Sequence, residues 1–170
     1  MKKILLMMVV TFTSFTLQAQ KEKKIYETDV FSIQYPTDWT LETETGTQAV
    51  FAIKGPLTSD ADMFAENVNL ITQNLKGMGV TLDQYVQFNE SQLKTIPNAK
   101  MFSSERETRD GAQYHTLVFR GTMSNMELKV RQVYTLKNET AYVLTFTTLE
   151  KEFSQFEKVG SEIVKSFKVK

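Results

Sequence analysis

The stretch Tyr142-Val143-Leu144-Thr145-Phe146 is apolar at both odd and even positions. A strand that buries one face alternates apolar with polar residues, so a run like this one belongs at the centre of a sheet with cover on both faces. It closes a longer pattern. From Lys100 to Thr148 the chain reads as consecutive strands broken at Arg109-Asp110-Gly111, Ser124-Asn125 and Asn138-Glu139. These short polar breaks favour hairpins, so the segment predicts an antiparallel meander. In its third strand Leu128, Val130, Tyr134 and Leu136 alternate with Glu127, Lys129, Arg131 and Lys137, which points one face at water or at a loose cover.

Two helices are available as the covers. Leu82, Tyr85, Val86, Leu93 and Ile96 fall on one helical face between a Thr81/Gln84 capping box and Pro97. Near the C-terminus Phe153, Phe156, Val159, Ile163, Val164 and Phe167 recur at helical spacing, with Thr147 and Glu150 as a second capping box. Glu150 and Glu152 near its start and Lys165 and Lys168 near its end suit the helix dipole. The fold class expected is α+β: an α/β/α sandwich around a mostly antiparallel sheet.

The N-terminal half supplies further strands. Phe31, Ile33 and Tyr35 alternate up to Pro36, and Thr37-Asp38-Trp39 reads as a turn. Strands near Gln48 to Lys54 and over Asn67 to Asn74 flank a turn-rich acidic segment, Leu57 to Glu66, and Gly77 and Gly79 end the second of them.

Residues 1–19 have the form of a secretory signal peptide: Lys2 and Lys3, an apolar stretch from Ile4 to Leu17, and Ala19 at the cleavage position. Residues 20–29 are expected to be a mobile lead, and 30–170 one domain. The implied location is outside the cytoplasm, periplasmic or secreted. The chain has no cysteine, which excludes lipid anchoring through an N-terminal cysteine, disulfides, thiolate metal sites and cysteine nucleophiles. Removing the first 19 residues leaves 18 basic against 20 acidic side chains, so no nucleic-acid partner is expected. The apolar stretch is also short for a membrane span.

No motif for nucleophilic, zinc-dependent or phosphate-binding chemistry is present, and His115 is the only imidazole. Between Tyr114 and Thr116 it reads first as a strand histidine with a backbone or water partner, and second as a ligand or base. Asp60, Asp62 and Glu66 have the spacing of a calcium loop's start, but Ala65 and Ile71 stand where such a loop needs glycine and glutamate. A solvated acidic loop is the first reading there. A divalent-cation site drawing on Asp60, Asp62, Glu66 and His115 is the second. Leu57, Met63 and Phe64 set apolar anchors among those charges, a mixture suited to a protein contact, with Phe64 alternatively plugging the core. Trp39, just after a strand-ending turn, reads as a core plug rather than a ligand-stacking ring.

Three segments together resemble one family. They are Phe31-Ser32-Ile33-Gln34-Tyr35-Pro36-Thr37-Asp38-Trp39, Phe64-Ala65-Glu66-Asn67-Val68-Asn69-Leu70, and Tyr142 to Thr147 leading to Val164-Lys165-Ser166-Phe167. The order is similar to that of the PsbP family, which comprises extrinsic photosystem II subunits and bacterial relatives including DcrB-like envelope proteins. The resemblance implies an α/β/α sandwich used as a non-enzymatic accessory or assembly module, and it carries no catalytic or cofactor residue onto this chain. The leading expectation is therefore an exported interaction module with an envelope protein partner. Its rivals are a small-molecule or divalent-cation binder and a carboxylate-based hydrolase.

Overall fold

The computed structural model describes residues 22–170, so the proposed signal peptide, 1–19, lies outside the described residues. The strands are β1 (Lys23–Glu27), β2 (Phe31–Pro36), β3 (Thr40–Glu42), β4 (Phe51–Lys54), β5 (Asn67–Asn74), β6 (Lys100–Arg109), β7 (Ala112–Met123), β8 (Met126–Lys137), β9 (Thr140–Leu149) and β10 (Lys168–Val169). The helices are α1 (Leu82–Gln92) and α2 (Phe153–Ser166). Seven strands form one sheet in the order β3-β4-β5-β9-β8-β7-β6, and β1-β2-β10 form a second. Every strand pairing is antiparallel.

The meander is set by its turns. Asp110-Gly111, Ser124-Asn125 and Asn138-Glu139 all have positive φ at both positions, the backbone that matches the twist of paired strands. Glu139, the least suited of these to φ +55°, is held by neighbours. Its carbonyl accepts from Leu75 N–H at 2.7 Å and its carboxylate from Gly77 N–H at 3.0 Å.

β9 is central, between β5 and β8, and both its faces are covered. On one face Tyr142, Leu144 and Phe146 join Phe31, Ile33, Phe51, Ile53, Val68 and Leu70 under Phe153, Phe156, Ile163, Val164 and Phe167 of the C-terminal segment. On the other, Ala141 and Val143 join Leu117, Phe119, Val130 and Tyr134 under Tyr85 and Val86 of α1. Trp39 is buried in the first of these cores, as a plug.

Several details differ from the sequence expectation. The segment expected to be a mobile lead contains β1, which pairs with β2 from Lys23↔Pro36 to Glu27↔Ser32. Cover on the α2 face is therefore shared between α2 and a small sheet. Thr147 does not cap α2: it is a residue of β9, and α2 begins after a 3-10 turn over Glu150–Glu152, with no side-chain cap at Glu152. The Thr81/Gln84 box does form at α1, whose last turn tightens into a 3-10 turn at Leu93–Thr95. Lys168 extends into β10 and bonds Asp110 at 2.7 Å instead of ending the helix. The polar face of β8 has the loose cover that its alternation allowed, since Arg131 pairs with Glu157 of α2 at 3.1 Å and the Lys129 ammonium sits 3.8 Å from the Phe153 ring centroid.

Candidate functional site

The connection between β4 and β5 leaves the sheet and returns to it. Lys54↔Asn67 is the last ladder pair, and one step outside it the Gly55 N–H donates to the Glu66 carbonyl at 2.7 Å, closing the loop at its neck. Glycine suits this neck because a Cβ at position 55 would stand 3.2 Å from the Trp39 indole. Beyond the neck, Asp62 organises the loop from inside. Its carboxylate accepts from Thr58 N–H at 2.9 Å, Thr58 hydroxyl at 3.0 Å and Phe64 N–H at 3.0 Å. Those backbone donors, Thr58 first, hold the Asp62 carboxyl below its ordinary value.

With the loop held this way, its apolar residues separate. Met63 is 93% exposed and Leu57 56%, whereas Phe64 is partly buried and packs against the α1-side core. Phe64 thus serves the fold, and the displayed apolar surface of the loop is Leu57 and Met63.

The carboxylates separate too. Glu66 is fully buried. Its Oε1 accepts from the Thr148 hydroxyl at 3.2 Å, and its Oε2 has no hydrogen-bond partner among the described residues. Burial pushes its carboxyl above the ordinary value, and the nearby Glu152 and Asp62 charges add to that push. Oxygens of Asp62, Glu66 and Glu152 all lie within 4.8 Å of one another, and Glu152 Oε2 is likewise buried without a partner. Lys151 stands beside them, 3.3 Å from Glu152 Oε1 and largely exposed. Of the residues picked out from the sequence, Asp62 and Glu66 are brought together. Exposed Asp60 and strand-borne His115 stand outside the group, and Glu152 at the start of α2 completes it.

His115 occupies a different setting, on the α1 side of β7. Its Nε2 lies 2.8 Å from Ser104 Oγ, and the Ser104 hydroxyl donates to Glu90 of α1. With the serine proton directed at a carboxylate, serine accepts from the imidazole, which places the His115 proton on Nε2. Nδ1 is buried and, among the described residues, without a hydrogen-bond partner. Burial lowers the His115 pKa, and Arg106 adds to the effect against Glu90 and Asp83. The order carboxylate, hydroxyl, imidazole leaves the serine without the imidazole base that a nucleophilic triad requires. The geometry holds α1 to β6 and β7 rather than activating a nucleophile.

An antiparallel sheet with a helix on each face and a small N-terminal sheet beside the C-terminal helix defines a PsbP-like α+β fold. The family model described as "PsbP-like protein" matches residues 13–169, and the chain belongs to that family. Among solved structures it is similar to cyanobacterial PsbP (CyanoP) from Synechocystis sp. PCC 6803, at 16% identity and a TM-score of 0.66, covering 94% of this chain and 99% of that one. It is also similar to LpqN of Mycobacterium tuberculosis, a protein described as involved in cell envelope biogenesis, at 16% identity and TM-score 0.61, over 87% and 90% of the two chains. The Ran-binding protein Mog1p of Saccharomyces cerevisiae shares the fold at 11% identity and TM-score 0.58, over 88% and 96%. No curated protein sequence matches the chain.

Proposed function

We propose that this protein acts outside the cytoplasm as a non-catalytic accessory module that engages a protein partner of the cell envelope through the β4–β5 loop. The observation that carries this reading is Met63, 93% exposed, beside the half-exposed Leu57 on a loop whose neck and interior are fixed by hydrogen bonds. Apolar side chains displayed on a preorganised loop with a charged rim lose little entropy on binding and bury area in return. The PsbP-like family and the envelope role described for LpqN agree with an accessory domain. Among the described residues no helix is long and apolar enough to cross a membrane.

The test has two arms. Mass spectrometry of the exported form should give an N-terminus at or near Gln20, and an intact Met1 confined to the cytosol would refute export. In cross-linking of the envelope fraction, the Leu57→Ser/Met63→Ser double variant should lose a partner that the wild type captures, while its unfolding free energy stays within about 1 kcal/mol. Undiminished capture by that variant would remove the loop from the interface.

A further inference from the structure

The least satisfied polar groups beside the loop are the free oxygens of Glu66 and Glu152. An ionised carboxylate deprived of water and of donors is costly, and native folds relieve it with a proton, a cation or a hydrogen-bond donor. Two neighbouring donors are engaged elsewhere. Thr148 is bonded to the other oxygen of Glu66, and Lys151 approaches Glu152 through its Oε1, from the solvent side. A proton shared between Glu66 and Glu152 is the competing way to satisfy both free oxygens, and a bound cation takes its place.

We propose that Asp62, Glu66 and Glu152 together bind a divalent cation of the hard, oxygen-seeking class, with calcium as its best representative. Three carboxylates and no nitrogen or sulfur ligand select that class over zinc or copper. The oxygens lie within 4.8 Å of one another, about twice a calcium–oxygen bond, so small side-chain adjustments would bring all three onto one ion. Glu66, fully buried with one oxygen unsatisfied, is the independent sign that the cluster is more than a solvated acidic patch. The ion would fasten the loop, through Asp62, to the start of α2, through Glu152, by way of Glu66, which directly precedes β5. The site includes no residue of the exposed apolar pair, so it stands whether or not the loop meets a partner.

Calorimetric titration of the EDTA-treated, purified protein with calcium chloride tests it, with manganese chloride in parallel. A saturable isotherm is expected, with Kd on the order of 10⁻⁴–10⁻³ M, the range of extracellular calcium modules. Glu66→Gln and Glu152→Gln should each weaken binding about tenfold or more, and Asp60→Asn should bind as the wild type does. Absence of saturable heat with both metals at millimolar concentration overturns the proposal, as does an unaltered isotherm in Glu152→Gln. That variant alters a partly exposed side chain, so its isotherm is decisive even if Glu66→Gln fails to fold. Partner capture is read separately with the Leu57→Ser/Met63→Ser variant, which keeps all three carboxylates.

Discussion

Gly160 of α2 lies against the Phe146 ring of β9 so closely that a Cβ on it would meet three ring carbons at 2.4 to 2.6 Å. The missing side chain lets the helix settle onto the central strand. Gly160→Ala should therefore destabilise the fold by about 1–3 kcal/mol through overpacking. This is opposite in sign to the roughly 1 kcal/mol that alanine gains over glycine in an open helix. Denaturant unfolding reads the difference. Phe146→Leu in the Gly160→Ala background should recover part of the loss, showing coupling between the two sites. A stabilised Gly160→Ala protein would mean that α2 rides higher on the sheet than this contact allows.

Phe156 tests the same packing from the opposite direction. It is buried in the core that α2 shares with β2, β4, β5 and β9. Phe156→Ala should cost about 3–5 kcal/mol. A loss below about 1 kcal/mol at an unchanged denaturant slope would contradict the docking of α2.

His115 should make stability fall on mild acidification. Its folded pKa is depressed below 6.5, first by burial and then by Arg106, although Glu90 and Asp83 of α1 favour the charged ring. In the pH interval between the folded and unfolded pKa values the unfolded chain binds the extra proton. The contribution is thus complete above the unfolded value, about 6.5, and is lost as pH falls from there through the folded value. Urea unfolding of wild type and His115→Gln between about pH 7 and pH 5.5 isolates the effect, because carboxylates common to both proteins cancel. The wild type should lose stability more steeply over that interval. Parallel slopes would mean that the imidazole titrates equally in both states.

The layered fold was legible because its signals are local or periodic. The two-sided apolar run at Tyr142 to Phe146, the three hairpin turns and the helical spacing of Phe153, Phe156 and Ile163 each reflect a rule about near neighbours. β1 escaped this reading because Lys23-Lys24-Ile25-Tyr26-Glu27 is mostly exposed and follows no buried period; only its pairing with β2 makes it a strand. The carboxylate group was half legible. Asp62 and Glu66 stand out within one acidic segment, but Glu152 looks like an ordinary dipole-compensating residue at a helix start. Nothing short-range links it to Glu66. The bond between Thr148 and Glu66 spans 82 positions and exists because β9 pairs with β5, which brings the end of one strand to the beginning of the other.

Two threonines with the same sequence signature show how far a local pattern can be trusted. Thr81, followed three residues on by Gln84, is extended, accepts from the Gln84 N–H at 3.2 Å and is bonded in return, its own N–H donating to Oε1 at 2.9 Å. Thr147, followed three residues on by Glu150, has the same capping-box spacing, yet it sits in the β9 ladder opposite Asn67 and Val130, with its backbone committed to the sheet. The difference is testable with one substitution that keeps shape and strand propensity and removes only the hydroxyl oxygen. Thr81→Val should cost about 1 kcal/mol, since valine is among the poorest N-cap residues. Thr147→Val should stay within about 0.5 kcal/mol of wild type, because a β-branched residue is retained at a strand position. Urea unfolding of the two variants side by side decides it. Equal losses would show that the hydroxyl of Thr147 caps α2 after all and that the helix begins earlier than Phe153.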